Sequence, residues 1–392
     1  MKSRLLLFGA GRIGRSFVGQ LFARGGYEVV FVDVDERVVR ELNRRTAYDV
    51  VVKHPDGHDE TLRVTGVRAV DARDEHAVAA EVAAADLAAT AVGAAALPSV
   101  ARLLRAGIAR RHTTRGSVPL DVILAENAHD ADAVVRAMIE NGGEGRALSA
   151  ITGLVRTSIG KMVPIVPAAV AERDPLIVFA EPYNTLVVDE AGFLGPVPAV
   201  RGVKPVGDIA AYVDRKLYLH NLGHAAAAYL GFLAAERSVT IHEALAAPGV
   251  REGVFAAMTE SAEALLREHG SAFTRDDLYR HRDDLLRRFE NRALGDTVYR
   301  VGRDLPRKLA RDDRLVGAML LAARHGCPFS AIARVYLAAL RFRAADESGR
   351  VDEGDERVVR LCEERGVEAA MRDVSGLRPD SEPDATVMRA LR

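Results

Sequence analysis

Residues 1–19 read MKSRLLLFGAGRIGRSFVG, and the fold turns on how GAGRIG, residues 9–14, is read. Residues 4–9 (RLLLFG) make an apolar run of strand length. A helical pattern covers 12–24, and YEVVFVDV, 27–34, is a second apolar run with Asp33 near its end. Strand, turn, helix and strand form a βαβ unit. Within it Gly9, Gly11 and Gly14 stand where a dinucleotide fingerprint needs a tight turn, close approach to a pyrophosphate, and close helix-to-strand packing. The phosphates would rest on the N-terminus of the following helix, where free N–H groups and the helix dipole favour negative charge. Asp33 lies nineteen residues beyond Gly14. A carboxylate there accepts hydrogen bonds from ribose hydroxyls and repels a 2'-phosphate, so the expected cofactor is NAD rather than NADP.

The alternation continues outward. LAATAV (87–92) and PLDVILAE (119–126) read as further strands, separated by the helical LPSVARLLRAGIARR (97–111), as in a parallel sheet. Strands persist to about TLVVDE, 185–190. The stretch AGFLGPVPAVRGVKPVG, 191–207, is rich in proline and glycine and reads as an inter-domain connection that breaks any regular element. From Asp208, a plausible helix cap, the pattern is helical nearly to the end. The expected fold is α/β, a Rossmann-type domain over 1–195 followed by a mostly α-helical domain over 196–392.

At 392 residues and 48% apolar, the chain can build two cores. A formal charge of −1 with interspersed signs offers no field to gather nucleic acid or anionic lipid, so neither is an expected partner. Cys327 and Cys362 are the two cysteines and are isolated from each other, which predicts no disulfide framework, no zinc site and a reducing, cytoplasmic setting. The first apolar run stops at Gly9, far short of a signal sequence, and the longest, Ala225 to Ala235, is too short for a bilayer. The acidic patch 346–356 reads as a solvated turn.

A second constellation lies in the helical half, where RKLYLHNLGH places Lys216, Asn221 and His224 together. On an α-helix, Asn221 falls about 140° and His224 about 80° around from Lys216, so the three can border one cleft. Oxidising an alcohol needs a base for the hydroxyl proton and donors for the developing oxyanion, and a lysine of lowered pKa can be that base. With no His/Cys cluster to hold a catalytic metal, side chains would do the proton work.

These stretches resemble the polyol-specific long-chain dehydrogenases over nearly the full length. The matching segments include FGAGRIGRSFVG, TAVG (90–93), AEN (125–127), RKLYLHNLGHAAAAYLG (215–231), RFEN (288–291), VYRVGRDLPRKLARDDRL (298–315) and SGL (375–377). The resemblance implies an NAD domain, a helical substrate domain, no metal, a monomer and, in the phosphate-specific branch, interconversion of D-mannitol 1-phosphate with D-fructose 6-phosphate. It makes Lys216 the general base, Asn221 and Asn127 the oxyanion donors, and His224 the residue that orients the substrate. It assigns Phe8, Gly9, Ala10, Gly11, Arg12, Ile13, Gly14, Arg15, Asp33, Thr90 and Val92 to the cofactor. For a sugar phosphate, Arg300, Arg303, Arg307, Lys308 and Arg311 crowd a segment broken by Pro306, with Arg300, Arg303 and Lys308 the candidate phosphate ligands. Alternatives are a sister activity on a free polyol or a hexuronate such as tagaturonate, and a silent NAD-binding sensor. Gly160 and Lys161 stand where the family usually has Asp-Arg, and Thr185 and Leu186 where it has an acid or amide followed by Trp; these departures bear on which substrate is taken.

Overall fold

A computed structural model of the chain describes residues 2–127, 130–234 and 239–392. The end of the apolar run at Ala235 lies outside them. The chain divides into two compact units, one ending at Ile209 and the other starting at Ala210.

Among the described residues the first unit holds eleven strands: β1 (Arg4–Phe8), β2 (Glu28–Asp33), β3 (Ala47–Lys53), β4 (Asp59–Thr65), β5 (Val67–Asp71), β6 (Leu87–Thr90), β7 (Leu120–Leu124), β8 (Thr152–Ile159), β9 (Val178–Ala180), β10 (Leu186–Asp189) and β11 (Val203–Val206). Eight form one sheet in the order β11-β10-β8-β7-β6-β1-β2-β5. Every pairing in it is parallel except β8 with β10. Alternate residues of β1 enter different cores: Leu5 and Leu7 join a cluster with Phe17, Leu21 and Phe31, while Leu6 and Phe8 join one with Val30, Val82, Leu104 and Val122. Burial on both faces is why these strands read as unbroken apolar runs. The order reverses between β1 and β6, which opens the ligand crevice at the carboxyl ends of those two strands.

Two sequence expectations need correction. The stretch 191–207 does contain a regular element, because β11 pairs in parallel with β10 despite Pro205. A proline is tolerated there because β11 is an edge strand, with no further neighbour awaiting its N–H. This strand carries the first unit past residue 195 to Ile209. A separate sheet, β4-β3-β9, also lies in the first unit and went unread in the sequence.

The second unit is helical. Its longest helices, Val250–Glu268 and Arg275–Phe289, pack beside Leu222–Ala234, with Val254, Met258, Leu265, Leu285 and Tyr229 buried. Among the described residues no helix is long and apolar enough to cross a membrane.

Candidate active site

The glycine loop follows β1 directly. Gly9 has φ +98°, and a Cβ there would lie 2.4 Å from the Ala91 carbonyl oxygen, so only glycine lets the loop pass against the segment after β6. A Cβ on Gly14 would sit 1.9 Å from the Gly9 carbonyl oxygen, which ties the helix start to the loop. Gly11, by contrast, faces open space and is exposed. Turn, close packing and an uncovered backbone are what a pyrophosphate needs, so these residues fit a dinucleotide.

Asp33 stands at the end of β2 and acts first on the loop itself: one carboxylate oxygen accepts the Ala10 N–H at 2.6 Å and the other the Asp35 N–H at 2.9 Å. Each oxygen keeps a further lone pair for a ribose hydroxyl. Arg12 is exposed and Ile13 half-buried, whereas Phe8, Ala10 and Arg15 are buried. The Arg15 guanidinium turns inward, donating to the carbonyls of Ala10 (2.6 Å) and Pro175 (2.7 Å). It braces the loop from behind. Thr90 is fully buried, its hydroxyl without a protein partner, and Val92 is half-buried.

Glu126 was not singled out in the sequence. Its carboxylate, at 7% exposure, accepts the N–H groups of Val92 (2.9 Å) and Gly93 (2.7 Å), binding the turn after β6 to the end of β7. Asn127 follows at once and is exposed. The AEN motif carried the signal, but an acid after a strand is also an ordinary helix cap.

In the second unit, Lys216–Asn221 forms a π-helical turn between Ile209–Arg215 and Leu222–Ala234. An i→i+5 turn winds more slowly than an α-helix, so Asn221 falls nearer the Lys216 face than the α-helical spacing predicts. Such turns are frequent at functional sites. Burial, then the Arg314 cation, lowers the Lys216 pKa to about 8.

His224 lies one turn on. Its ring stacks on Phe289 (centroids 4.8 Å, planes 4° apart) with Nε2 3.4 Å from Asp296. Burial and then the cations Arg300, Lys308, Arg314 and Arg288 lower its pKa to about 3. Asp296, beside the ring, is itself paired with Arg300. His224 is therefore a neutral hydrogen-bonding ring at neutral pH. Asp296, 9% exposed, was likewise missed; its i,i+4 spacing to Arg300 was the available sign.

The basic segment is pinned beside this helix by the Tyr229 hydroxyl, which donates to the Gly302 carbonyl at 2.9 Å. Its cations then part ways. Arg300 pairs with Asp296, Arg307 with Asp304 and Asp313, and Arg311 with buried Asp384. Lys308 is buried, donating to the carbonyls of Val301 (2.6 Å) and Arg303, and burial lowers its pKa to about 7. Arg303 is exposed, 5.7 Å from the Tyr299 ring centroid.

Residues 3–202 match the family model of the mannitol dehydrogenase Rossmann domain, and 208–374 that of the mannitol dehydrogenase C-terminal domain. The chain belongs to the mannitol dehydrogenase family. Among solved structures, a substrate-free D-sorbitol dehydrogenase superposes with a TM-score of 0.81 at 18% identity, over 100% of this chain and 92% of that one. Pseudomonas fluorescens mannitol 2-dehydrogenase, in a ternary complex with NAD and D-mannitol, gives 0.73 at 17% identity, over 100% and 91%. At such identities these likenesses show the fold, and the two family domains make the chain an oxidoreductase. Of the positions where it departs from the usual family pattern, Lys161 is buried and donates to the carbonyls of Glu181 (3.0 Å) and Tyr183 (2.6 Å), while Leu186 is fully buried in the sheet core.

Proposed function

We propose that this member of the mannitol dehydrogenase family is an NAD-dependent mannitol-1-phosphate 5-dehydrogenase, interconverting D-mannitol 1-phosphate and D-fructose 6-phosphate. The observation that carries the reading is a half-buried lysine of pKa about 8 that opens a π-helical turn ending at Asn221. Neutral Lys216 takes the proton from the C5 hydroxyl as the alcohol becomes a carbonyl. Asn221, with Asn127 as the second donor, holds the oxygen as negative charge develops, an effect worth about 3 kcal/mol per donor. Neutral His224, fixed between Phe289 and Asp296, hydrogen-bonds substrate hydroxyls. NAD accepts the hydride when bound, and the loop 9–14 with Asp33 would hold it. The phosphate preference is supported by exposed Arg303 in the basic segment.

The test is NADH oxidation by the purified protein with D-fructose 6-phosphate, D-fructose and tagaturonate. The phosphate ester is expected to give the highest kcat/KM. Preference for an unphosphorylated sugar would keep the proton chemistry and overturn the substrate.

A further inference from the structure

We propose that the first unit carries a second ligand site, a cavity of about 670 Å³ that takes a phosphorylated sugar or polyol. The cavity is walled on one side by Ser16 of the π-helical stretch Gly14–Gly19 and by Gln20 and Arg24 of the α-helix Gln20–Arg24 that continues it. Strands β3 and β4 and the segment 181–185 supply other walls. Neither the glycine loop 9–11 nor Asp33 borders it, so it is separate from the cofactor cradle.

Its walls carry unmet hydrogen-bonding groups. Gln20, at 2% exposure, donates to the Asn184 side-chain oxygen at 2.5 Å, yet its own Oε1 is buried without a protein partner. Ser16 Oγ is buried and unpartnered too. Asn184, also a wall residue, accepts from Lys161 at 3.1 Å through the same Oδ1, so neither of these bonds uses its amide nitrogen, a double donor. An acceptor, a hydroxyl and two N–H donors suit vicinal hydroxyl groups, which both give and accept hydrogen bonds. The volume is that of a small-molecule site rather than of a single water.

The opening is cationic. Gly25 packs against Val200, and Gly202 against Leu21, so Arg24 and Arg201 flank the same seam and both border the cavity. Among the described residues neither guanidinium has a carboxylate within ion-pair distance. Of the acids in the wall, Glu60 pairs with His54, itself a wall residue (3.2 Å), and Glu181 accepts the Met162 N–H (2.5 Å). Two uncompensated guanidinium groups match a phosphate monoester dianion, while a neutral sugar leaves both unmet.

Calorimetric titration of the full chain with NADH present tests this, using D-glucose 6-phosphate as probe beside D-glucose and inorganic phosphate. The ester is expected to bind tightest of the three, and an Arg24→Ala/Arg201→Ala double variant to weaken it about tenfold or more. NADH affinity should stay unchanged in that variant, which shows that it is folded. No binding of the ester, equal binding by the double variant, or D-glucose or inorganic phosphate binding as tightly as the ester would each overturn the proposal.

Discussion

The Lys216 ammonium is held where water solvates it poorly and Arg314 repels it, so the proton leaves near pH 8. With Lys216 as the proposed base, alcohol oxidation needs the neutral amine and sugar reduction the ammonium. Oxidation should therefore rise with pH to a plateau above about 8, and reduction should fall over the same range. Arg314→Ala removes one of the two influences that lower the pKa and should move both limbs to higher pH; superimposable profiles would show that Arg314 does not act on the base. Lys216→Met should abolish turnover at neutral pH, by about 10²-fold or more, while NADH still binds. The same change should stabilise the protein. The folded-state pKa is below the unfolded value, so the unfolded chain binds more protons between about pH 8 and 10.4, and stability rises with pH through that window. Below it the penalty is complete, on the order of 3 kcal/mol at most, and methionine relieves it. Urea unfolding at pH 7 checks this, and a less stable variant would contradict it.

Among the elements, two carboxylates serve the backbone before any ligand does. Asp33 holds Ala10, and Glu126 holds Val92 and Gly93. Asp33→Ala should weaken NAD and improve NADP relative to it, because the repulsion of a 2'-phosphate goes with the carboxylate. An unchanged preference would remove Asp33 from the ribose site. Glu126→Gln puts an N–H donor against a backbone N–H, so the turn after β6 should loosen. A rise in the NADH Kd of about tenfold with an unchanged circular dichroism spectrum is expected, and unaltered NADH binding would confine Glu126 to fold stability. The π-helical turn belongs to this scale as well. An α-helical wheel leaves Lys216 and Asn221 well apart, whereas the slower winding of an i→i+5 turn draws them towards one face, and residue spacing does not announce such a turn.

At the scale of the whole molecule, binding to the folded state alone is stabilising: NADH at a hundred times its Kd should add about 2.7 kcal/mol to the unfolding free energy. Chemical denaturation with and without NADH measures it, and the gain should shrink in Asp33→Ala at the same concentration. Much of this molecule was legible in its residues. The glycine spacing, the two-sided apolar strands and Asp33 are local patterns, because a dinucleotide fold writes its turn and its buried sheet into consecutive residues. The order Lys-x4-Asn-x2-His is local in the same way. What the tertiary structure decided depends on groups far apart in sequence. Pro205 belongs to a strand because that strand lies at the sheet edge. Arg300, Arg307, Lys308 and Arg311 are all cations in the sequence, yet Asp296, Asp304, Asp313, Asp384 and two carbonyls determine how each is held. Lys216 is an ordinary lysine until burial and Arg314 lower its pKa. Residue type and spacing determine which chemistry a chain can hold, while desolvation and pairing across the fold determine which of those groups are charged and which are already engaged.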